Sequence, residues 1–232
     1  PDVSSAASDV YKRQIYNLLY NHSRILMRNK FFNFIGIVFF LTFEATAQPE
    51  QGKDYQLIPP DLIEGQSITE VFGYWCNACF SFESTVQKMR EQREGVNIVQ
   101  IPAGNEVYAR LYYTIIALDL GEEAHLNVYK DIQLLRKNLS SENDVLEFAK
   151  RHGYDDTRFM NVYNSFGIGI KAQNALRTVR ALANAGVLEG VPTIVINGKY
   201  KFRRTGDVQR NIDNMLFPVS YTHLTLPTIH RV

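Results

Sequence analysis

Cys76 and Cys79 are the only cysteines in the 232-residue chain, and they stand three apart in Cys76-Asn77-Ala78-Cys79. Before them, Ile68, Val71 and Phe72 mark a short buried strand over 67–74; after them, Phe80, Phe82, Val86 and Met89 follow helical spacing to a stop near Gly95. A dithiol at the first turn of a helix has a definite chemistry. Unpaired backbone N–H groups and the helix dipole stabilise negative charge there and favour the thiolate of the more exposed, first thiol. That thiolate attacks or leaves a disulfide, and a second thiol within reach resolves the mixed disulfide. On this reading Cys76 is the nucleophile and Cys79 the resolving cysteine. Two other readings stand beside it. One is half of a zinc site, although four ligands are needed and His125 and His152 lie far off in sequence. The other is an inert structural disulfide.

The elements that must hold the pair form a sheet interrupted by helices. Residues 48–65 are polar, with Pro59-Pro60 and Gly65, and read as an extended lead-in. The strand before Cys76, the helix after it and a second strand over 96–101, closed by Pro102, make a β-α-β unit, which favours parallel strands. Val107, Leu111, Ile115 and Leu118 then recur at helical spacing up to Gly121, and Leu126, Tyr129, Ile132 and Leu135 form a second stripe. Ser141 with Asp144 has the spacing of a capping box, opening a helix with Val145, Phe148 and Ala149 that Gly153 ends. A further helix spans about 170–185, carrying Leu176, Val179 and Leu182 to Gly186. Pro192 to Ile196 returns to strand, and Asn197-Gly198 joins it to Tyr200-Lys201-Phe202 as a hairpin. The class is α/β, with a helical block of about 106–170 set into the sheet.

The two ends read as foreign. Ser4 to Gln14 spells SSAASDVYKRQ and Val219 to Thr228 spells VSYTHLTLPT. Codons for SDVYKRQ, reverse-complemented in a shifted frame, begin VSYTHL, so one DNA sequence in opposite orientations accounts for both. It resembles a transposon-based sequencing adapter, and residues 1–14 and 218–232 are set aside as adapter-derived. Residues 15–26 read as upstream sequence, a native extension being the alternative. Met27-Arg28-Asn29-Lys30, an apolar run of 13 residues from Phe31 to Phe43, and Ala45-Thr46-Ala47 have the basic, apolar and small-residue pattern of a secretory signal over 27–47. The run is short for a bilayer span of about 20 residues. What remains, 48–217, has 19 Lys+Arg against 21 Asp+Glu, a net charge of −2, so no electrostatic case for nucleic acid survives. A chain of that length buries roughly 70% of its unfolded surface and needs no metal or disulfide to fold.

The segment Glu70-Val71-Phe72-Gly73-Tyr74-Trp75-Cys76-Asn77-Ala78-Cys79-Phe80-Ser81-Phe82-Glu83 resembles the active-site segment of DsbA-type thiol:disulfide oxidoreductases of the bacterial periplasm. Gly190-Val191-Pro192-Thr193 and the following Val195-Ile196-Asn197-Gly198-Lys199-Tyr200 resemble their cis-proline loop and hairpin. The resemblance implies a thioredoxin fold with an inserted all-helical subdomain over the whole of 48–217. It implies that Pro192 is cis and faces the cysteines, and that Val191 offers its backbone to an extended substrate segment. It implies too that Glu70 is a buried acid exchanging a proton with Cys79, the plain alternative being a solvated residue on a strand edge. Trp75, with Tyr74 and Phe80, forms an apolar rim for substrates or else belongs to the core.

The dipeptide between the cysteines departs from the family. Strongly oxidising members carry Pro-His there; Asn77-Ala78 supplies no imidazole to the thiolate. The expectation is a reduction potential between those of thioredoxin and DsbA, about −270 to −120 mV. The favoured function is a soluble, monomeric periplasmic oxidase that passes its disulfide to folding secreted proteins and is reoxidised by a membrane quinone-linked partner, with no cofactor or metal of its own. The alternatives are a reductase or isomerase of the same fold, and a non-catalytic secreted binding module.

Overall fold

The computed structural model describes residues 49–65 and 67–224, with side chains as far as Phe217. The signal expected at 27–47, the segments before it and residues 225–232 lie outside the described residues.

Five strands form one sheet in the order β1-β5-β4-β2-β3: β1 Tyr55–Leu57, β2 Ile68–Phe72, β3 Ile98–Pro102, β4 Thr193–Ile196 and β5 Tyr200–Phe202. β2 and β3 run parallel, joined over the sheet by α1, Asn77–Gln92, as the β-α-β pattern requires. The other pairings are antiparallel. Asn197 and Gly198 both take positive φ, 51° and 62°, the geometry of the tight β4–β5 hairpin. A side chain at Gly198 would run into the Ile63 carbonyl, so the lead-in segment packs directly on that turn.

Between the two halves of the sheet come α2 Glu106–Ala117, α3 Gly121–Tyr129, a π-helical turn Lys130–Leu134, α4 Glu142–Arg151, α5 Asp156–Tyr163 and α6 Phe166–Asn184. α7, Val208–Leu224, closes the described chain. The capping box at α4 is present: the Ser141 Oγ accepts from the Asp144 N–H and the Asp144 carboxylate accepts from the Ser141 N–H at 2.9 Å. The second stripe, expected as one helix, changes to π-helical winding after Tyr129, and the carbonyl of Lys130 then takes the Leu135 N–H. In the turn Asp131, fully buried, accepts from Arg151 at 3.0 Å and from His152 at 3.1 Å, tying it to α4.

Three elements depart from the sequence reading. The lead-in contains β1, which pairs with β5. The helix expected from about 170 begins at Phe166 behind a Ser165 cap, and α5 precedes it where no helix was read. The end of α6 at Asn184, just before Gly186, is where the sequence places it.

Strand alternation sends Ile68, Glu70 and Phe72 to one face of β2 and Thr69 and Val71 to the other. On the first face Ile68, Ile194, Ile196 and Phe202 meet Phe82, Val86 and Met89 of α1 and Ile212 and Met215 of α7. On the second, Val71 and Val195 meet Leu182 of α6 and Val187. A third cluster fills the helical block and reaches the sheet through Phe72, Tyr74 and Cys79. The cysteine pair thus lies where the helical block, α1 and the sheet converge.

Candidate functional site

The chain turns at Gly73, whose carbonyl accepts from the Cys76 N–H at 2.9 Å, and delivers Cys76 to the N-cap of α1. Cap positions favour side chains that accept from the first helical N–H groups; here the Cys76 sulfur accepts from the Cys79 N–H at 3.1 Å. A thiolate at this atom would gain that charge-assisted bond and the positive end of the helix dipole. The Cys76 thiol also donates to the Val191 carbonyl at 3.2 Å. The Val191–Pro192 peptide bond is cis, and Thr193 fastens the loop by donating to the Gly190 carbonyl at 2.6 Å. Cys76 and Cys79 are both free thiols; Cys76 is part-exposed and Cys79 fully buried. Burial, the hydrogen bond with Cys76 and the nearby Glu70 push the Cys79 thiol far up.

Asn77 and Ala78 are exposed at the helix start. Tyr74 and Trp75 separate: Tyr74 is fully buried in the helical-block core, whereas Trp75 is 47% exposed and stacks on Tyr108 at 5.9 Å. The Trp75 ring lies against two glycines. A Cβ at Gly73 would come within 2.7 Å of it and one at Gly104 within 2.5 Å. Phe80 is half-buried, stacked on Tyr129 at 5.2 Å.

Glu70 is 1% exposed on β2. Burial and then repulsion from Glu83 push its carboxyl up to about 8, against the Gln100 hydrogen bond and the more distant Arg204 and Arg90. It belongs to a buried polar chain that the sequence did not announce. The Gln100 amide of β3 donates to the Glu70 Oε2 at 2.9 Å and to the Glu83 Oε1 of α1 at 3.0 Å. The His125 Nε2 of α3 meets the same Glu83 oxygen at 3.1 Å, and its Nδ1 meets the Tyr74 hydroxyl at 2.9 Å. Among the described residues the other Glu70 oxygen, Oε1, has no hydrogen-bond partner. The signals were faint: Gln100 shares the inward parity of Ile98, and His125 lies three and four residues before the buried Val128 and Tyr129.

Beyond the cysteines, Val191, Pro192 and Thr193 form one wall of a cavity of about 460 Å³ whose other walls include Lys201, Arg203 and Arg204. Continuing the β4–β5 register past Ile194↔Phe202 sets Arg203 opposite Thr193 and Arg204 opposite Pro192. Lys201 pairs with Glu189 at 3.1 Å, and Arg204 lies over the Phe82 ring at 5.7 Å. The cavity beside Val191 thus has a basic flank formed by Arg203 and Arg204.

Residues 104–214 match the family profile described as a DSBA-like thioredoxin domain. The thiol:disulfide interchange protein DsbA of Pseudomonas aeruginosa is 31% identical over 160 residues, 65% of this chain and 74% of that protein. Its namesake from Pseudomonas syringae pv. tomato is 29% identical over 174 residues, 71% and 79% of the two chains. The crystal structure of Pseudomonas aeruginosa DsbA superposes with a TM-score of 0.65 at 26% identity, over 75% of this chain and 95% of its own.

Proposed function

The chain belongs to the DsbA-like thioredoxin-domain family and is a thiol:disulfide oxidoreductase, and from that premise we propose that Cys76 and Cys79 pass a disulfide to the cysteines of folding secreted proteins. The observation that carries the assignment of roles is the unequal environment of the two sulfurs. Cys76 is accessible, capped by the Cys79 N–H and adjacent to the Val191 carbonyl; Cys79 is buried beside an acid.

In the oxidised enzyme the two sulfurs are bonded. A substrate thiolate attacks the Cys76 sulfur, the Cys76–Cys79 bond breaks, and Cys79 leaves with the electron pair. The buried Cys79 sulfur cannot sustain that charge and takes a proton from Glu70. A second substrate thiolate then attacks the substrate sulfur of the mixed disulfide and releases Cys76 as a thiolate at the helix start. Two electrons have moved from the substrate dithiol to the enzyme, and the substrate holds one disulfide. The substrate segment lies extended beside Val191, its backbone pairing with the loop, while Trp75 supplies an exposed apolar surface next to the reacting sulfur. Gly73 and Gly104 leave the room for the indole.

A periplasmic site of action, a monomeric state and reoxidation by a membrane quinone-linked partner belong to the same proposal; they are supported by the likeness to the DsbA proteins and by the signal pattern at 27–47. Among the described residues no helix is long and apolar enough to cross a membrane. Asn77-Ala78 favours a second direction of flow, a reductase, because the thiolate lacks a neighbouring imidazole and the reduced form is that much less stabilised.

The test is oxidative folding. The oxidised chain mixed with a reduced, unfolded disulfide protein is expected to form one substrate disulfide per enzyme disulfide consumed. With each single-cysteine variant first charged by oxidised glutathione as its glutathione mixed disulfide, a substrate thiolate is expected to attack the Cys76 sulfur of Cys79→Ser, expel glutathione and accumulate as a mixed disulfide through Cys76. A parent chain that transfers nothing, or a mixed disulfide formed through Cys79 in Cys76→Ser, would overturn the assignment.

A further inference from the structure

Two buried carboxylates, Glu70 and Glu83, share one amide donor, and a histidine from outside the thioredoxin elements completes the arrangement. Glu83 is 3% exposed and His125 5% exposed. The donors are distributed unequally. With the Tyr74 hydroxyl donating to Nδ1, the imidazole presents its Nε2–H to Glu83, which also accepts from Gln100. Glu83 therefore receives two donors, the arrangement that suits an anion. Glu70 receives one, and its Oε1 is left without a partner among the described residues, the arrangement that suits a carboxyl holding a proton. Two anions in one dry site are costly, so the charge of one carboxylate keeps the proton on the other.

We propose that His125, supplied by the inserted helical block, is a positioning residue for disulfide exchange: its Nε2–H holds the negative charge on Glu83, and that charge keeps on Glu70 the proton that Cys79 takes as it leaves. The proposal rests on the exchange reaction above and adds a residue to it. The other groups around Glu70 are accounted for. Cys79 and Arg90 of α1, Tyr112 of α2, Tyr129 of α3 and Arg204 beyond β5 face it electrostatically, and only the two arginines favour its charged form. The raised carboxyl of Glu70, about 8, agrees with a proton retained at neutral pH.

Removing the His125 donor moves the proton from Glu70 to Glu83 and leaves an anion beside Cys79. The measurement is the single-turnover reduction of the oxidised chain by dithiothreitol from pH 5 to pH 8, read as the rate of each variant divided by that of the parent. Taking the ratio cancels the titration of the reductant itself. His125→Leu is expected to give a ratio near one at pH 5, where Glu70 is protonated in either protein, falling about tenfold by pH 7 for a carboxyl lowered by about two units. His125→Gln, whose Nε2 can replace the imidazole donor, is expected to restore the ratio. Glu83→Gln, which removes the charge directly, should reproduce the pH-dependent fall, and adding His125→Leu to it should change nothing further. A ratio that is flat with pH in Glu83→Gln, or a His125→Gln that behaves as His125→Leu, overturns the proposal, and the Glu83→Gln arm decides it should His125→Leu not fold. Transfer from the parent chain to a reduced, unfolded protein is measured alongside. Its absence overturns the functional reading, whereas a flat ratio with transfer intact overturns the role of His125 alone.

Discussion

Replacing Glu70 by Gln isolates the proton held in the core. The folded chain raises this carboxyl from 4.5 to about 8, chiefly by burial and then by the charge of Glu83. Between those values the folded state keeps a proton that the unfolded state releases, so stability falls as pH rises, at about 1.4 kcal/mol per unit for one such group. Below 4.5 both states are protonated and nothing is lost; above about 8 both are ionised and the loss levels off. At pH 7 the accumulated cost is about 3 kcal/mol. Glutamine reproduces the shape of the protonated acid, still accepts from Gln100 and does not titrate. Urea unfolding of the reduced proteins should therefore find Glu70→Gln equal to the parent near pH 4.5 and more stable by about 3 kcal/mol at pH 7. The thiols do not interfere: Cys76 is common to both proteins and cancels in the comparison, and Cys79, its thiol pushed far up by burial, stays protonated over this range. Parallel stability profiles would refute a buried, protonated Glu70 and with it the proton step assigned to Cys79. The stabilised variant should also exchange more slowly at neutral pH, since amide cannot hand over the proton.

Iodoacetamide should label the reduced chain once, at Cys76, with Cys79 protected by burial; equal labelling of both in intact-mass and peptide analysis would contradict the site geometry. Gly104→Ala meets a φ of 100° and a Cβ within 2.5 Å of the indole, and should cost about 1–3 kcal/mol while shifting the emission of Trp75, the only tryptophan. An unchanged spectrum would deny the contact. Arg203→Glu with Arg204→Glu should slow exchange with thiol peptides carrying acidic flanks by about tenfold at low salt, with the gap closing as salt rises. Rates indifferent to peptide charge would remove the basic flank from the substrate path.

The residues that make the local structure were legible in the sequence, and those that depend on distant partners were not. Cys76 could be read at a helix start because the hydrophobic period changes there, and Asn197-Gly198 and Ser141 with Asp144 carry their turn and cap chemistry within a few residues. β1 was not legible: three residues, Tyr55-Gln56-Leu57, become a strand only because β5 lies alongside. The start of α6 was hidden by Gly167 and Gly169, poor helix formers. Gly169 has a tertiary reason, since a Cβ there would press within 2.7 Å of the Arg110 guanidinium that binds the Tyr163 carbonyl. The same holds within the site. The cysteines stood out by their spacing and Glu70 through the likeness of its segment to the family, whereas Gln100, Glu83 and His125 come together only when β3, α1 and α3 pack.

The most direct measurement is the reduction potential of the Cys76–Cys79 pair, equilibrated in glutathione buffers at pH 7 and followed by Trp75 fluorescence. A dithiol that gives its disulfide away, with the accessible sulfur stabilised at the helix start and the buried one kept protonated, should lie above about −200 mV, between there and about −120 mV. A value near or below about −250 mV would contradict the account and make the chain a reductase.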